Sequence, residues 1–282
     1  MNVIKIDENN LREYEDYIEP DAAEKLRRYY HRGAVITDED LLPLGYGIWE
    51  YRHMEDKEPK EAQIEDFCAE DGETADVLLS SIAEFIKKEG AVKIVFRLPA
   101  GDRKNCKGCF ERAGYTVSVE DSEWLRLKIK DFLSLPFVSK GKGEGIKALN
   151  RVNLRSFRQE IVRFVLDVKR DALSEVRYLP FTWYDLEISC LSESVSGADG
   201  FFLVHETPSG ILRAEIMDTA DRNAGLLAGM ISFFAEESIK KYPEDKEVIL
   251  RKNDPFSVRL TNYLFPEILP EKVFCGELKV CP

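Results

Sequence analysis

Hydrophobic and polar residues follow two periods along the first half of the chain. Short apolar runs and stretches with a period of two predict strands. These predicted strands are 3–6, 32–37, 45–51, 62–68, 92–96 and two pieces of 117–129. The longest predicted helix carries apolar residues at spacings i, i+4, i+7 and i+8, namely Leu78, Ile82, Phe85 and Ile86. Shorter helices are predicted in 10–30, where Pro20 separates two of them, and in 106–113.

The second half repeats the later part of this order. Its predicted strands are 201–204, 211–217, 248–250 and 273–280, with a short helix at 257–263. Its long helix carries apolar residues at spacings i, i+3, i+4 and i+7, namely Leu227, Met230, Ile231 and Phe234. The triplet Ile-Lys-Lys at 86–88 recurs at 239–241, and the same offset of 153 residues relates Gly72 to Gly225. We interpret this pattern as a divergent internal duplication; chance similarity between two α/β halves is the alternative.

A glycine-rich, charged segment without periodicity separates the two halves. Residues 139–145 read Ser-Lys-Gly-Lys-Gly-Glu-Gly, and no Gly-Lys-Ser/Thr follows that would make them a phosphate-binding loop. The segment is therefore predicted to link an N-terminal domain at 1–138 to a C-terminal domain at 146–282.

Composition narrows the classes of function. The 282 residues contain 40 Lys and Arg against 52 Asp and Glu, a net charge of −12 that argues against nucleic acid and anionic membranes as partners. No apolar run approaches the roughly 20 residues that span a bilayer, and the N-terminus has no signal-peptide pattern. We therefore expect a cytoplasmic protein. The six cysteines and three histidines are too scattered for a metal site, and packing is a better interpretation of the pair Cys106 and Cys109 than redox or zinc chemistry.

The order strand, two helices, three strands, helix, strand, helix, strand resembles the GNAT superfamily of N-acetyltransferases. Residues 109–115, Cys-Phe-Glu-Arg-Ala-Gly-Tyr, are similar to the family signature Leu-Tyr-Glu-Lys-x-Gly-Phe on the helix after the fifth strand. In the second half, Asn253 follows the corresponding strand, as an asparagine does in the family. The resemblance implies a mixed α/β fold of two tandem GNAT-like domains, each a mostly antiparallel sheet flanked by helices.

The same resemblance implies a cofactor site at the start of each long helix. In the family, a Gln/Arg-x-x-Gly-x-Gly/Ala turn holds the pyrophosphate of acyl-CoA on backbone N–H groups. The second half matches with Arg222 and Gly225, whereas the first half has Glu-Asp-Gly-Glu at 70–73, whose charges repel phosphate. We therefore expect acetyl-CoA, or another acyl-CoA, to bind the second half. The residues implied are Met217, Arg222, Asn223, Ala224, Gly225, Leu226, Leu227 and Asn253.

Two residues of the second half are implied as catalytic. Glu215, on the strand before the better loop, is the candidate base that takes the proton of the attacking amine. Tyr263 is the candidate acid for the departing thiolate, although it lies three residues past the usual family position, Leu260. Glu65 and Tyr115 are the counterparts in the first half. The acceptor is expected to be an amine of a small molecule or peptide, and an acidic protein suits a cationic amine.

Two alternatives stay open at this stage. Both loops match the family motif imperfectly. This is compatible with a tandem GNAT-like protein that acts as a binding or structural module and catalyses no reaction. Fem-type transferases, which use aminoacyl-tRNA, also have tandem halves of this kind, but a net charge of −12 argues against a tRNA substrate.

Overall fold

The computed structural model describes residues 1–7, 9–27, 31–52, 60–100, 106–138, 145–168, 173, 176–194 and 197–280. It divides into two compact units. Unit 1 comprises Met1–Ser122 and Glu271–Pro282, and unit 2 comprises Glu123–Pro270. Among the described residues, no helix has the length and apolar character needed to cross a bilayer. Residues 139–144 of the predicted linker lie outside the described ranges.

Strands and helices are mixed along the chain. The strands are β1 (Asn2–Ile6), β2 (His31–Thr37), β3 (Pro43–Arg52), β4 (Lys60–Ala69), β5 (Ala91–Pro99), β6 (Thr116–Asp121), β7 (Trp124–Lys128), β8 (Ile146–Ala148), β9 (Cys190–Ser194), β10 (Gly197–Glu206), β11 (Leu212–Thr219), β12 (Glu247–Arg251) and β13 (Lys272–Lys279). The helices are α1 (Leu11–Tyr14), α2 (Pro20–Leu26), α3 (Gly72–Lys88), α4 (Cys106–Arg112), α5 (Ile129–Leu133), α6 (Leu154–Val168), α7 (Ala224–Lys241) and α8 (Pro255–Leu264).

Unit 1 is built on a seven-stranded sheet in the order β1-β2-β3-β4-β5-β13-β6. Neighbouring strands are antiparallel except for the parallel pair β4 and β5. The apolar stripe of α3 packs on one face of the sheet, and Leu78, Ile82 and Ile86 are fully buried there as predicted. Residues of α1 and α2 form a second core with β1, β2 and β3. The helix spacing predicted from the sequence therefore gives the core of this unit.

Unit 2 is built on a six-stranded sheet in the order β7-β12-β11-β10-β9-β8. Its parallel pair is β11 and β12. The long helix α7 packs on one face, where Phe234 lies against the rings of Phe132 and Phe202 at centroid distances of 5.0 and 4.6 Å. The helix α6 covers a second core that contains Ile216 of β11. Both faces of this sheet are thus buried.

The boundary between the units differs from the predicted one. Strand β7, which falls in the predicted domain 1–138, pairs with β12 of unit 2. Strand β13, from the predicted domain 146–282, lies in the sheet of unit 1 between β5 and β6. The divide therefore falls at 122/123, with 271–282 returning to unit 1, instead of at 139–145. Alternation of apolar and polar residues predicts that a segment forms a strand, but it does not identify the strand to which that segment is hydrogen-bonded.

The two parallel pairs are formed by strands that the sequence predicted, and each pair parts at one end. Pairing of β4 with β5 ends at Ile64 opposite Phe96, although β4 continues to Ala69. Pairing of β11 with β12 ends at Ala214 opposite Leu250, although β11 continues to Thr219. The unpaired ends leave an opening in each sheet on the side where the long helix begins.

Candidate active site

A cleft in unit 2 occupies the opening between β11 and β12. It encloses about 50 Å³ and is also lined by α8. The lining residues are Leu173, Ala214, Glu215, Ile216, Met217, Leu250, Arg251, Asn253, Ser257, Leu260 and Thr261. The structure therefore brings together three of the predicted site residues, Glu215, Met217 and Asn253.

Glu215 lies at a bulge in β11. Leu203 of β10 pairs with Ile216 and the next residue, Val204, pairs with Ala214, so that Glu215 is the extra residue between them. A bulge redirects the side chains that follow it. Here Ala214 packs in the core beneath α7, whereas Ile216 packs in the core beneath α6. The bulge sets Glu215 at the point where the strand turns away from β12.

The carboxylate of Glu215 is held by two donors. Arg213 donates to Oε1 through Nε at 2.7 Å and approaches it through Nη2 at 2.6 Å. The indole N–H of Trp183 donates to the same oxygen at 3.4 Å. The Glu215 side chain is only 13% exposed, so these contacts fix its orientation.

Trp183 is itself held in place by His205. The two rings stack with their centroids 3.8 Å apart, and Nδ1 of His205 lies 2.7 Å from the carbonyl oxygen of Trp183. Because a carbonyl oxygen only accepts, Nδ1 carries the proton. His205 therefore positions Trp183 through the stacked ring and this hydrogen bond.

The loop from β11 to α7 presents backbone donors. Asn223 is the N-cap of α7, and its side chain accepts from the N–H of Leu226 at 3.1 Å. The N–H of Leu227 donates to the carbonyl of Asn223 at 3.0 Å. Within the described residues, the N–H groups of Ala224 and Gly225 have no such partner. Of the predicted loop residues, these two offer free N–H groups at the positive end of an 18-residue helix.

Arg222 lies at the entrance to this helix. Its backbone has φ of 53°, a left-handed conformation that is uncommon for residues other than glycine. Its guanidinium lies over the ring of Phe256 at the start of α8, 5.5 Å from the ring centroid. The first turn of α7 contains no acidic residue. The loop is therefore suited to an anion in backbone geometry, and Arg222 supplies a positive charge next to Asp221.

Tyr263 does not join the cleft. Its side chain is 82% exposed on α8, and the cleft is lined instead by Leu260, one turn earlier. The side chain of Leu227, a predicted cofactor-binding residue, cannot contact a ligand because it is buried in the core. The hydroxyls that line the cleft belong to Ser257 and Thr261, which the sequence reasoning did not select.

A capping box explains how Ser257 comes to the cleft. The side chain of Asp254 accepts from the N–H groups of Phe256 and Ser257 at 2.8 and 3.1 Å, and Pro255 occupies the first position of α8. The sequence Asp-Pro-Phe-Ser carries this signal, because Asp is a preferred N-cap and Pro a preferred first helical residue. By contrast, no sequence signal connects Trp183 with Glu215, which lies 32 residues later in the chain.

The corresponding loop of unit 1 is acidic. Asp71 is the N-cap of α3 and accepts from the N–H of Thr74 at 2.8 Å, which lowers the pKa of the Asp71 carboxyl. Arg112 of α4 donates to both oxygens of Asp76 at 2.9 and 3.0 Å, so its charge is already paired. A Cβ added to Gly72 would lie 3.2 Å from Nη2 of Arg112, which places the guanidinium beside the start of α3. Phosphate would meet exposed carboxylates and a neutralised arginine there.

In unit 1, the residue that corresponds to Glu215 is bound by neighbouring side chains, and the candidate acid is buried. Glu65 lies 3.2 Å from Nζ of Lys25 and also accepts from Gln63. Tyr115 is 4% exposed, and burial raises the pKa of its hydroxyl. A hydroxyl whose pKa is raised by burial is a poorer acid.

Among the described residues, no three His, Cys, Asp or Glu side chains are grouped as a metal ion would require.

Comparison with solved structures places this fold among tandem GNAT proteins. A tandem GNAT protein from the clavulanic acid biosynthesis pathway matches with a TM-score of 0.65 and 12% identity, covering 100% of this chain and 99% of that one. A GCN5-related N-acetyltransferase from Sphaerobacter thermophilus matches with a TM-score of 0.51 and 14% identity, covering 99% and 96%. By sequence, no family model and no curated protein matches.

A third match extends the likeness to a larger protein. The GCN5-related glucosamine N-acetyltransferase region of a fungal multi-domain GH3 β-N-acetylglucosaminidase has a TM-score of 0.58 and 11% identity. It covers 98% of this chain and 38% of that one. At these identities the comparisons establish the fold: two mixed sheets in a tandem GNAT arrangement.

Proposed function

We propose that unit 2 binds acyl-CoA, acetyl-CoA in particular, and transfers the acyl group to an amine. One observation carries the proposal: the N-terminus of α7, with two free N–H groups and Arg222 beside it, adjoins the opening between β11 and β12. The pyrophosphate suits the N–H groups of Ala224 and Gly225 and the guanidinium of Arg222. Met217 and Asn253 line the cleft into which the thioester would then extend.

Acyl transfer requires few groups from the protein. The bound thioester supplies an activated carbonyl, and an amine held beside it reacts mainly through proximity. The ammonium group of the acceptor first passes a proton to Glu215, directly or through one water, since this carboxylate lines the cleft, and the neutral amine then attacks the thioester carbonyl. The leaving group is an alkyl thiolate, and thiols have pKa values near about 8.5, so it departs without a dedicated acid. The position of Tyr263 at the surface is compatible with this chemistry.

The alternative is that unit 2 binds acyl-CoA and does not turn it over. The ion pair between Arg213 and Glu215 favours this alternative, because Arg213 occupies the carboxylate oxygen Oε1. In both cases unit 1 is proposed not to bind acyl-CoA, because its loop presents carboxylates where phosphates would lie.

Calorimetric titration of the full chain with acetyl-CoA tests the proposal. We expect one binding event, weakened by about 1–3 kcal/mol in Arg222→Ala, the range for a lost charge-assisted hydrogen bond. Gly72→Ala, in the loop of unit 1, is the matched control and should bind as the parent does. Release of free thiol in the presence of amines then separates a transferase from a binding module. Absence of binding, or a loss in Gly72→Ala alone, would overturn the assignment to unit 2.

A further inference from the structure

The helix α6 of unit 2 carries apolar residues on its exposed side as well as on its buried side. Phe157 and Ile161 are buried in the core beneath it. Leu154, Val162 and Leu166 are instead 54, 39 and 55% exposed. A surface helix normally has polar residues outside its buried stripe. Exposed apolar residues that are grouped on one element indicate an interaction surface.

The exposed apolar residues belong to one ridge of α6. Leu154, Arg158, Val162 and Leu166 follow one another at intervals of four residues. Side chains in such an i, i+4 row form a ridge that packs into the groove of a neighbouring helix. Arg158 leaves its aliphatic stem in the row, because Nη1 donates to the carbonyl oxygen of Arg177 at 3.1 Å. The ridge is therefore suited to contact with a second helix.

Two charged residues of α6 lie at the ends where the helix dipole disfavours them. Arg155 is the second residue of the helix and Asp167 is the last but one, and both are exposed. The first turn contains no acidic residue and the last turn no basic one. Because the N-terminus of a helix is positive and its C-terminus negative, both charges destabilise the helix by itself. Neither side chain has an ion-pair partner in the part of the chain that the structure describes.

The same charges are favourable when two copies of α6 pack antiparallel. A two-fold axis at the middle of the helix places Leu154 of one copy opposite Leu166 of the other. Arg155 and Asp167 each follow one of these leucines, so the axis also places Arg155 of one copy opposite Asp167 of the other. Each charge then lies beside its opposite and at the favourable end of the partner's helix. A two-fold interface is self-complementary, so both charge pairs form together.

We propose that α6 is a docking surface for α6 of a second copy of this chain, in an antiparallel pair about a two-fold axis. Leu154, Val162 and Leu166 supply the apolar contact, and Arg155 with Asp167 determines the direction of the pairing. One pair of 15-residue helices is smaller than the roughly 1,200–2,000 Å² of a standard interface. The net charge of −12 on each copy adds repulsion. Association is therefore weak and depends on concentration.

Sedimentation equilibrium of the full chain between about 1 and about 300 µM measures this association. We expect the parent to dimerise, and Leu166→Asp to raise Kd at least about 100-fold, because a charge then enters the apolar contact twice. Ile239→Asp is the matched control, since it replaces an exposed apolar residue near the end of α7, and it should leave Kd unchanged. A parent that stays monomeric over this range, or an equal loss in the two variants, would overturn the proposal.

Charge reversal tests the two-fold pairing itself. Arg155→Asp and Asp167→Arg each place like charges opposite one another in the dimer, and we expect each to raise Kd at least about 10-fold. Both substitutions agree with the helix dipole, so urea unfolding should show a fold no less stable than the parent's. The double variant restores both pairs of opposite charges and should regain the parental Kd. Loss in the single variants without recovery in the double variant would overturn the antiparallel arrangement.

Discussion

Glu65 and Glu215 occupy equivalent positions in the two units. Each is the extra residue of a bulge in the strand that precedes the long helix. Their surroundings differ: Glu65 adjoins a loop with carboxylates at its helix N-terminus, whereas Glu215 adjoins one without acidic residues in the first turn. The pair therefore offers a test of catalysis with an internal control.

Glu215→Gln should lower kcat by about 10²–10⁴-fold, the usual contribution of a general base. The amide preserves the shape of the side chain and removes its basicity, so affinity for acetyl-CoA should change little. Glu65→Gln should leave kcat unchanged. The measurement is the rate of thiol release between pH 6 and 9 with a saturating acceptor. Parental kcat in Glu215→Gln across this range would remove Glu215 from the mechanism.

Trp183→Phe tests whether the orientation of Glu215 matters. The indole N–H donates to Glu215 Oε1, and phenylalanine removes this donor while it retains an aromatic ring that can stack on His205. We expect a fall in kcat of about tenfold or less, because one neutral hydrogen bond contributes about 0.5–1.5 kcal/mol. Parental kcat in Trp183→Phe would show that Trp183 only packs.

The sequence predicted the long helices α3 and α7 and their buried faces, because their 3.6-residue period records which side chains each helix buries. It also predicted the loop at Arg222 and the strands that form the parallel pairs, but it did not predict α6. It did not predict that β13 inserts between β5 and β6, because strand partners are chosen by contacts distant in sequence. The contact of Trp183 with Glu215 was equally invisible, since those residues lie on separate elements and follow no motif.

Gly276 tests the insertion of β13 into unit 1. A Cβ at this position would lie 2.5 Å from Cε1 of Phe96 and 2.7 Å from the carbonyl oxygen of Thr116, so one neighbour is backbone and cannot move easily. Gly276→Ala should lower the free energy of unfolding by about 1–3 kcal/mol, as overpacking does. Gly108→Ala is the control, because its Cβ would meet nothing closer than 3.6 Å and α4 favours alanine. Urea unfolding measures both; equal stability of the two variants would argue against this packing.

A polar cluster near the end of α7 predicts a dependence of stability on pH. The hydroxyl of Tyr242 lies 2.7 Å from Oδ2 of Asp185 and 2.8 Å from Oε2 of Glu206, and Lys246 lies 2.6 Å from Oε1 of Glu206. Partial burial acts to raise the pKa of Glu206, but the hydrogen bonds from Lys246 and Tyr242 and the charge of Lys246 outweigh it. The pKa of Glu206 is therefore lower than its ordinary value of 4.5.

A carboxyl whose pKa is lowered in the folded state stabilises the fold above its unfolded pKa, and the stabilisation is lost as pH falls through the folded value. Glu206→Gln should therefore be less stable than the parent at pH 7, and the difference should shrink as the pH falls below about 4.5. Urea unfolding at a series of pH values measures the difference. Glu267→Gln, at an exposed position, should match the parent at pH 7. A difference between Glu206→Gln and the parent that stays constant down to pH 3 would show that ionisation of Glu206 makes no contribution, and that its contacts act only through shape.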